Sequence, residues 1–465
     1  MIEGLQPYSE YQESGHKWLG RVPKHWALLP NRALFKEVKD RNHPSEEMLS
    51  VTIMRGIIRQ KALLFDTFKK DSSNIDKAAY KLVQPGDIAY NKMRAWQGAV
   101  GSSSLRGIVS PAYVVMRPRN DCAPSYYHHL FRTPSFAKEA ERWSYGITSD
   151  MWSLRREHFK VIYSVLPPSD EQAAIVRFLD HANRKVDGFI RAKRKLITLL
   201  GEQKQIITHR AITRGLNPNA PRKPSGIPWL DDIPAHWTVT ALRRHWRVTD
   251  CKHLTVPFVD DGIPLASVVE VQSFALNLAH CKKTTRPWYR LLIEGDRKPK
   301  RGDLIYCRNA SVGACALVET DIDFAMGQDV CLIRSTHQNQ RFLNYLLHSP
   351  FMDRQLALLL VGSTFKRINV ADIKALTVLV PPRREQDAIC AHLDSQLRVY
   401  DASISRTERE IALMQEYRTR LTADVVTGKL DVRAAAAKLP ALPAEANADV
   451  TKNQPLEEAD LEEEP

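Results

Sequence analysis

The strongest constraint on this chain is a duplication. Residues 165–180 read VLPPSDEQAAIVRFLD and residues 379–394 read LVPPRREQDAICAHLD. Pro167, Pro168, Glu171 and Gln172 correspond to Pro381, Pro382, Glu385 and Gln386, all at an offset of 214. Each copy is an apolar strand end, a Pro-Pro stop and the start of a helix. A period this long is no solenoid repeat; it makes the chain two homologous halves.

Other blocks fall into register. SGHKWLGRVPKHW (14–26) aligns with SGIPWLDDIPAHW (225–237), pairing Trp18 with Trp229 and His25-Trp26 with His236-Trp237. The tryptophans around a proline predict an entry segment pinned by aromatic burial. SVTIMRGII (50–58) has the β-branched content of a strand. LVQPGDIAYNKM (82–93) matches KPKRGDLIYCRN (298–309) as a turn entering a strand, and SPAYVVMRP (110–118) matches GQDVCLIRS (327–335) as another. SYYHHLFRTPSF (125–136) matches RFLNYLLHSPF (341–351), an amphipathic helix ended at a proline. Glycine-led polar segments follow, with Gly146 and Thr148 opposite Gly362 and Thr364.

Two long helices come next. Ser169 with Gln172 three residues on reads as a capping box, which Arg383 breaks in the second copy. Leu397, Ile404 and Ile411 recur at seven-residue spacing, and Leu179, Ala182, Val186, Phe189, Leu196, Leu200 and Ile207 form a similar stripe, although Thr407 and Arg418 interrupt the seam. Helices of about 43 residues, roughly 65 Å long, need a partner for such a stripe, and each is the other's nearest candidate. The expected fold class is α+β, with two α/β domains, each followed by a long helix, and the helices packed as an antiparallel coiled coil. The domains read as 1–166, helix 167–216, linker 217–226, domain 227–380, helix 381–431, and a disordered acidic tail 432–465.

Formal net charge is +14, but Pro440–Pro465 holds eight acids and one base, so the remainder carries +21. A body that basic points to a polyanion. The seven cysteines include no C-x-x-C pair and read as reduced, buried thiols of a cytoplasmic protein. The polar N-terminal stretch is not a signal peptide, and no apolar run approaches the ~20 residues of a membrane span.

No catalytic constellation emerges. There is no phosphate-binding G-x-x-x-x-G-K-[ST] loop, no dinucleotide or S-adenosylmethionine fingerprint, and no histidine or cysteine cluster with metal spacing. Glu37-Val38-Lys39 has a nuclease-like spacing but lacks an upstream acid, and His128-His129 reads as a structural pair. Binding is left. Lys92, Arg94, Gln97, Arg155, Arg156, Arg308, Asn309, Lys366 and Arg367 lie in predicted loops that mix bases, amides and aromatics. Such side chains neutralise phosphates and contact base edges. Any one of them is as compatible with a plain solvated surface; their matching positions in two basic halves favour DNA.

The two in-register P-P-x-x-E-Q-x-x-I-x-x-x-L-D motifs, with VPKHW (22–26), IPAHW (233–237) and the GIT and GST segments, resemble the specificity subunit of type I restriction-modification systems over roughly residues 14–431. The resemblance implies two target-recognition domains reading an asymmetric, bipartite site in double-stranded DNA, with Thr148 and Thr364 joining the DNA-binding set. It implies spacer helices, two methyltransferase subunits and ATP-driven restriction subunits. It also implies a non-enzymatic chain without a cofactor of its own, S-adenosylmethionine, ATP and Mg2+ serving the partners. A methylation-only system would give the same chain; a coiled-coil scaffold without DNA recognition is the rival of a different class.

Overall fold

The computed structural model describes residues 5–64, 77–119, 121–147, 151–360 and 367–440. It divides into two compact units, Met1–Ala192 with Arg409–Pro465, and Lys193–Glu408. This grouping differs from the domain boundaries expected above, because it cuts both long helices. Each unit holds one globular domain, the start of the helix that follows it, and the end of the other helix.

The first unit is built on a four-stranded antiparallel sheet in the order Phe35–Val38, Tyr113–Pro118, Ile88–Asn91, Val100–Ser102. The second has the same order from Arg247–Asp250, Val330–Arg334, Leu304–Cys307 and Cys315–Leu317. The turn before each third strand carries a left-handed glycine, Gly86 at φ 91° and Gly302 at φ 90°. The aspartate after it ties the turn to the neighbouring strand: Arg117 donates to Asp87 (2.8 Å) and Arg334 to Asp303 (2.8 Å). The sequence 50–58 is not one strand. It is a hairpin, Leu49–Thr52 with Gly56–Arg59, because the Thr52 hydroxyl accepts from Arg55 N–H and Gly56 takes φ 73°. The proline expected to end the 125–136 helix instead opens a second helix, Pro134–Arg142, with Thr133 as its cap. Fixed φ and a missing N–H suit proline to a first turn.

A strand from the end of each domain, Tyr163–Leu166 or Thr377–Val380, runs through Pro-Pro into a long helix, Ser169–Arg214 or Arg383–Val426. Ile175, Leu179, Ile389 and Leu393 are fully buried, contributing about 1.5–3 kcal/mol each. In the first unit Ile175, Phe178, Leu179 and Ala182 share one core with Leu421, Val425 and Val426. In the second, Ile389, Cys390, Leu393 and Leu397 share one with Ala211 and Ile212. Asp187 accepts from Arg418 (3.0 Å) in the first unit, and Lys204 pairs with Asp401 in the second; the paired position numbers total 605 in both, an antiparallel register. The two seam interruptions are thereby accounted for. Arg418 is in that ion pair, and Thr407 satisfies its hydroxyl on Ser403 O (2.8 Å) one turn back.

Both long helices end at a glycine with positive φ, Gly215 (68°) and Gly428 (75°). A Cβ on Gly428 would lie 2.3 Å from Pro23 and 3.0 Å from Trp26; one on Gly215 would lie 3.3 Å from Trp237. Only glycine both turns the chain there and lets it press on the indole. Residues 432–440, expected to be disordered, are folded: Arg433–Ala437 is a short helix, and Val432 and Ala436 are buried in the first unit's core. Residues 441–465 lie outside the described residues. All seven cysteines are buried and unpaired, and no helix among the described residues is long and apolar enough to cross a membrane.

Candidate nucleic-acid interface

Two constructions repeat in the units: a junction that fixes the helix to its domain, and a loop at one end of the sheet. At the junction, Glu171, Gln172 and Gln386 are buried and Glu385 is half-buried, and the glutamines bond across the fold rather than cap. Gln172 accepts from Ala123 N–H (2.8 Å) and donates to Asp121 O (2.9 Å) and Pro167 O (2.8 Å). Gln386 accepts from Asn339 N–H (2.9 Å) and donates to Pro381 O (2.8 Å). The capping box read from the sequence is thus replaced by a tertiary contact to a neighbouring helix start.

The glutamates answer the His-Trp pairs. Glu171 accepts from Trp26 Nε1 (2.8 Å), Tyr8 Oη (3.0 Å) and Arg433 (3.2 Å), with His25 Nε2 at 2.7 Å. Burial, and then the Glu171 carboxylate, push the Tyr8 phenol far above its ordinary value, so it stays a donor. Among the described residues Glu385 has the equivalent pair alone, Trp237 Nε1 (3.1 Å) and His236 Nε2 (2.7 Å). Its side chain is 24% exposed against 4% for Glu171. Sequence reasoning did not single out Tyr8 or Arg433, which lie 163 and 262 positions from Glu171.

In the first unit the loop 92–99 joins strands Ile88–Asn91 and Val100–Ser102. Asn91 Oδ1 accepts from Met93 N–H, Trp96 Nε1 donates to Met93 O, and Gly98 closes the loop at φ 101°. Leu154 N–H donates to Lys92 O (2.9 Å), and Trp96 meets Trp152 edge-on at 5.4 Å. This clasp brings Lys92, Arg94 and Gln97 beside the segment carrying Arg155 and Arg156. Gln97 and Arg155 are exposed, while Lys92 and Arg94 are half-buried. Arg156 is engaged in the protein, donating to Glu37 (3.1 Å), which also accepts from Lys160 (2.9 Å). Burial opposes ionisation of Glu37, but these hydrogen bonds prevail and hold its carboxyl below its ordinary value. Glu37 is therefore an ion-pair hub. Lys81, missed from sequence, joins the same basic surface: burial first, then Lys92 and Arg41, push its amine down to about 8.

The second unit repeats the clasp. Ile368 N–H donates to Arg308 O (2.9 Å), and Asn309 pairs with Arg367 across an isolated antiparallel bridge. Asn309 and Arg367 stand together at the loop, with Arg367 exposed. Arg308 does not present its guanidinium there. It is 4% exposed, 3.5 Å from Asp250. Thr148, Thr364 and Lys366 lie outside the described residues. Asp250, Cys251 and His253 form a metal-like trio, but His253 turns Nε2 to Asp250 (3.1 Å) and Nδ1 to Cys251 (3.8 Å). One ion cannot use both ring nitrogens, and Arg308 places a cation beside the same carboxylate.

With that geometry in view, similarity to known proteins is informative. Residues 284–412 match the type I restriction modification DNA specificity domain. The chain is 23% identical over 445 residues to the type I restriction enzyme MjaVIII specificity subunit of Methanocaldococcus jannaschii, covering 91% of this chain and 97% of that one. It is 24% identical over 276 residues to the Escherichia coli EcoBI specificity subunit, covering 57% and 58%. Its fold is shared with a chain from a study of complex assembly and conformational transition of the type I R-M system, at TM-score 0.63 and 16% identity, covering 88% and 99%.

Proposed function

We propose that this chain, a relative of the type I specificity subunits, reads a bipartite, asymmetric site in double-stranded DNA, one half-site per unit. The observation that carries the reading is the repeated clasp: Leu154 on Lys92 and Ile368 on Arg308 close a loop of bases and amides at the same sheet end in both units. Lys92, Arg94, Gln97 and Arg155 serve the first unit, and Asn309 and Arg367 the second. Arg156 and Arg308 are engaged inside the protein, by Glu37 and Asp250, and stand behind these side chains. Thr148, Thr364 and Lys366 belong to the same reading.

The long helices act as an antiparallel coiled coil that sets the gap between half-sites. Fusing two readers in one chain lets their loops diverge, so the half-sites need not match, whereas a symmetric dimer would read a palindrome. Two methyltransferase subunits dock on this scaffold and use S-adenosylmethionine to methylate adenine; restriction subunits that use ATP and Mg2+ join them. The chain supplies the address and none of the chemistry, and acts in the cytoplasm. Support comes from the basic body, the duplicated loops and the relatives' names.

The test is duplex binding by the full chain across a salt series, with methylome sequencing of a host with and without it. A steep salt slope and a chain-dependent split motif are expected. A binding curve indifferent to salt, with no motif lost when the chain is absent, refutes the reading in favour of a scaffold.

A further inference from the structure

Beside each reading loop stands a hairpin whose turn is held by the residue that ends a helix. In the first unit the hairpin Leu49–Thr52/Gly56–Arg59 turns through Ile53, Met54 and Arg55. Arg132, directly after helix Pro124–Phe131, donates to Thr52 O (3.3 Å), Ile53 O (2.7 Å) and Met54 O (2.6 Å), and also to Val100 O (3.0 Å). One guanidinium thus ties three successive turn carbonyls to the strand that leaves the reading loop. The approach is close on both sides: a Cβ on Gly98 would touch Ile53 at 3.9 Å, and one on Gly101 would meet the Gly56 Cα at 3.3 Å.

The second unit reaches the same arrangement by other chemistry. The hairpin Val271–Gln272/Ala275–Leu276 turns through Ser273 and Phe274. Phe274 N–H donates to Cys315 O (3.1 Å), the first residue of the strand that leaves the second reading loop. Its ring stacks on His348 at 3.9 Å and 21°. His348 directly follows helix Gln340–Leu347, as Arg132 follows its own. Arg132 and His348 differ by 216 positions, the offset that also separates Lys92 from Arg308.

Each turn presents a large apolar side chain to solvent. Met54 is 42% exposed and Phe274 46% exposed. Phe274 does so at φ 67°, a backbone region that bulky side chains avoid and that persists only where the surroundings enforce it. The stack on His348 and the bond to Cys315 are that enforcement. The ring also lies 5.7 Å from Tyr345, so part of it is packed while the rest faces solvent.

We propose that these two turns are specificity-determining elements, each for its own unit's half-site. Met54 and Phe274 supply the apolar contact to base edges, such as a thymine methyl, and Arg132 and His348 are the positioning residues. Their unlike chemistry is a source of unlike half-sites. The inference rests on the DNA-reading function proposed above.

The test is in vitro selection of duplexes from a random pool by the full chain and its Met54→Ala, Arg132→Met, Phe274→Ala and Phe274→Gly variants, with thermal unfolding alongside. Met54→Ala and Arg132→Met should each reduce discrimination about 5- to 100-fold at one or two positions of one half-site only. Phe274→Ala and Phe274→Gly should do so in the other half-site only. Phe274→Gly separates a reading role from a structural one, because the strain relieved at φ 67° offsets the lost stack on His348: stability should change little while discrimination falls. Met54→Ala, an exposed truncation, answers the question if Arg132→Met fails to fold. Unchanged base preferences in folded Met54→Ala and Phe274→Gly overturn the inference while leaving the DNA-reading function intact. A wild-type chain that selects no sequence overturns that function, and the inference with it.

Discussion

The two junctions are built alike and finished differently, and removing each glutamate should expose the difference. Glu171→Ala takes a buried acceptor from four donors: Tyr8, His25, Trp26 and Arg433. Charge-assisted hydrogen bonds contribute about 1.5–3 kcal/mol each, and they do not add. Arg433 and His25, at 49% and 43% side-chain exposure, can turn to water. The Trp26 and Tyr8 donors cannot, being 2% and 5% exposed. Stranding those two sets the loss at about 3–5 kcal/mol. Glu385→Ala strands only Trp237, since His236 is 47% exposed, for about 1–3 kcal/mol. At about 2–4 °C per kcal/mol for units of this size, Glu171→Ala should melt about 6–20 °C low and Glu385→Ala about 2–12 °C low. Differential scanning calorimetry of the full chain, with limited proteolysis to report which unit opens first, gives the answer. Glu385→Ala as damaging as Glu171→Ala, or a Glu171→Ala loss below about 1 kcal/mol, would refute the reasoning, because the extra donors at Glu171 would then contribute nothing.

Three further outcomes are expected. The Lys81 amine titrates at about 8 in the folded protein against 10.5 ordinarily, so between those values the unfolded chain binds more protons and this group makes stability rise with pH; Lys81→Met should flatten that rise in melts at pH 7.5 and 9.5, and an unchanged slope would remove Lys81 as its source. Inserting four residues in each long helix adds about 6 Å at 1.5 Å per residue, close to two base pairs, and should lengthen the preferred gap while both half-sequences stay; altered half-sequences would sink the spacer assignment. Replacing residues 14–166 with another recognition domain should exchange one half-site in the methylome and leave the other, whereas loss of both would show that the units do not read independently.

Much of this was legible because duplication writes each element twice. The strands before the Pro-Pro steps, the long helices and the Gly-Asp turns were found by register. Partners distant in sequence were not. Glu171 and Gln172 read as a helix start, because Ser-x-x-Gln fits a local capping box equally well; only the fold shows that Gln172 reaches Ala123 and Asp121. The 50–58 strand was read straight through its turn because Ile53 and Met54 carry no turn signal, and the φ of Gly56 is set by Thr52. Arg308 looked like a reader by its loop, and its burial against Asp250 depends on a strand nearly sixty residues earlier. Residues 432–440 were assigned to the tail on composition, although Val432 and Ala436 are apolar enough to be held once a core is present.

The interleaving of the units bears on why the junction residues recur while the loops differ. Neither unit is completed by its own half of the duplication. The first needs Leu421, Val425 and Val426 from the second helix, and the second needs Ala211 and Ile212 from the first. A change at Ile175, Glu171 or Gly428 therefore alters a surface on which another segment of the chain must fit, and a matching change elsewhere is required. Loops 92–99 and 308–314 carry no such obligation. The clasp common to both is a backbone N–H on a backbone C=O, which places few demands on side-chain identity, and the side chains that back it differ, Trp96 on Trp152 in one and Arg308 on Asp250 in the other. The same division separates Arg132 from His348, which secure their hairpins by wholly different chemistry at one position of the fold. If the chain reads DNA as proposed, its side-chain freedom lies at the loops and its constraint at the helix junctions, where Glu171, Gln172, Glu385 and Gln386 are tied to segments distant in sequence.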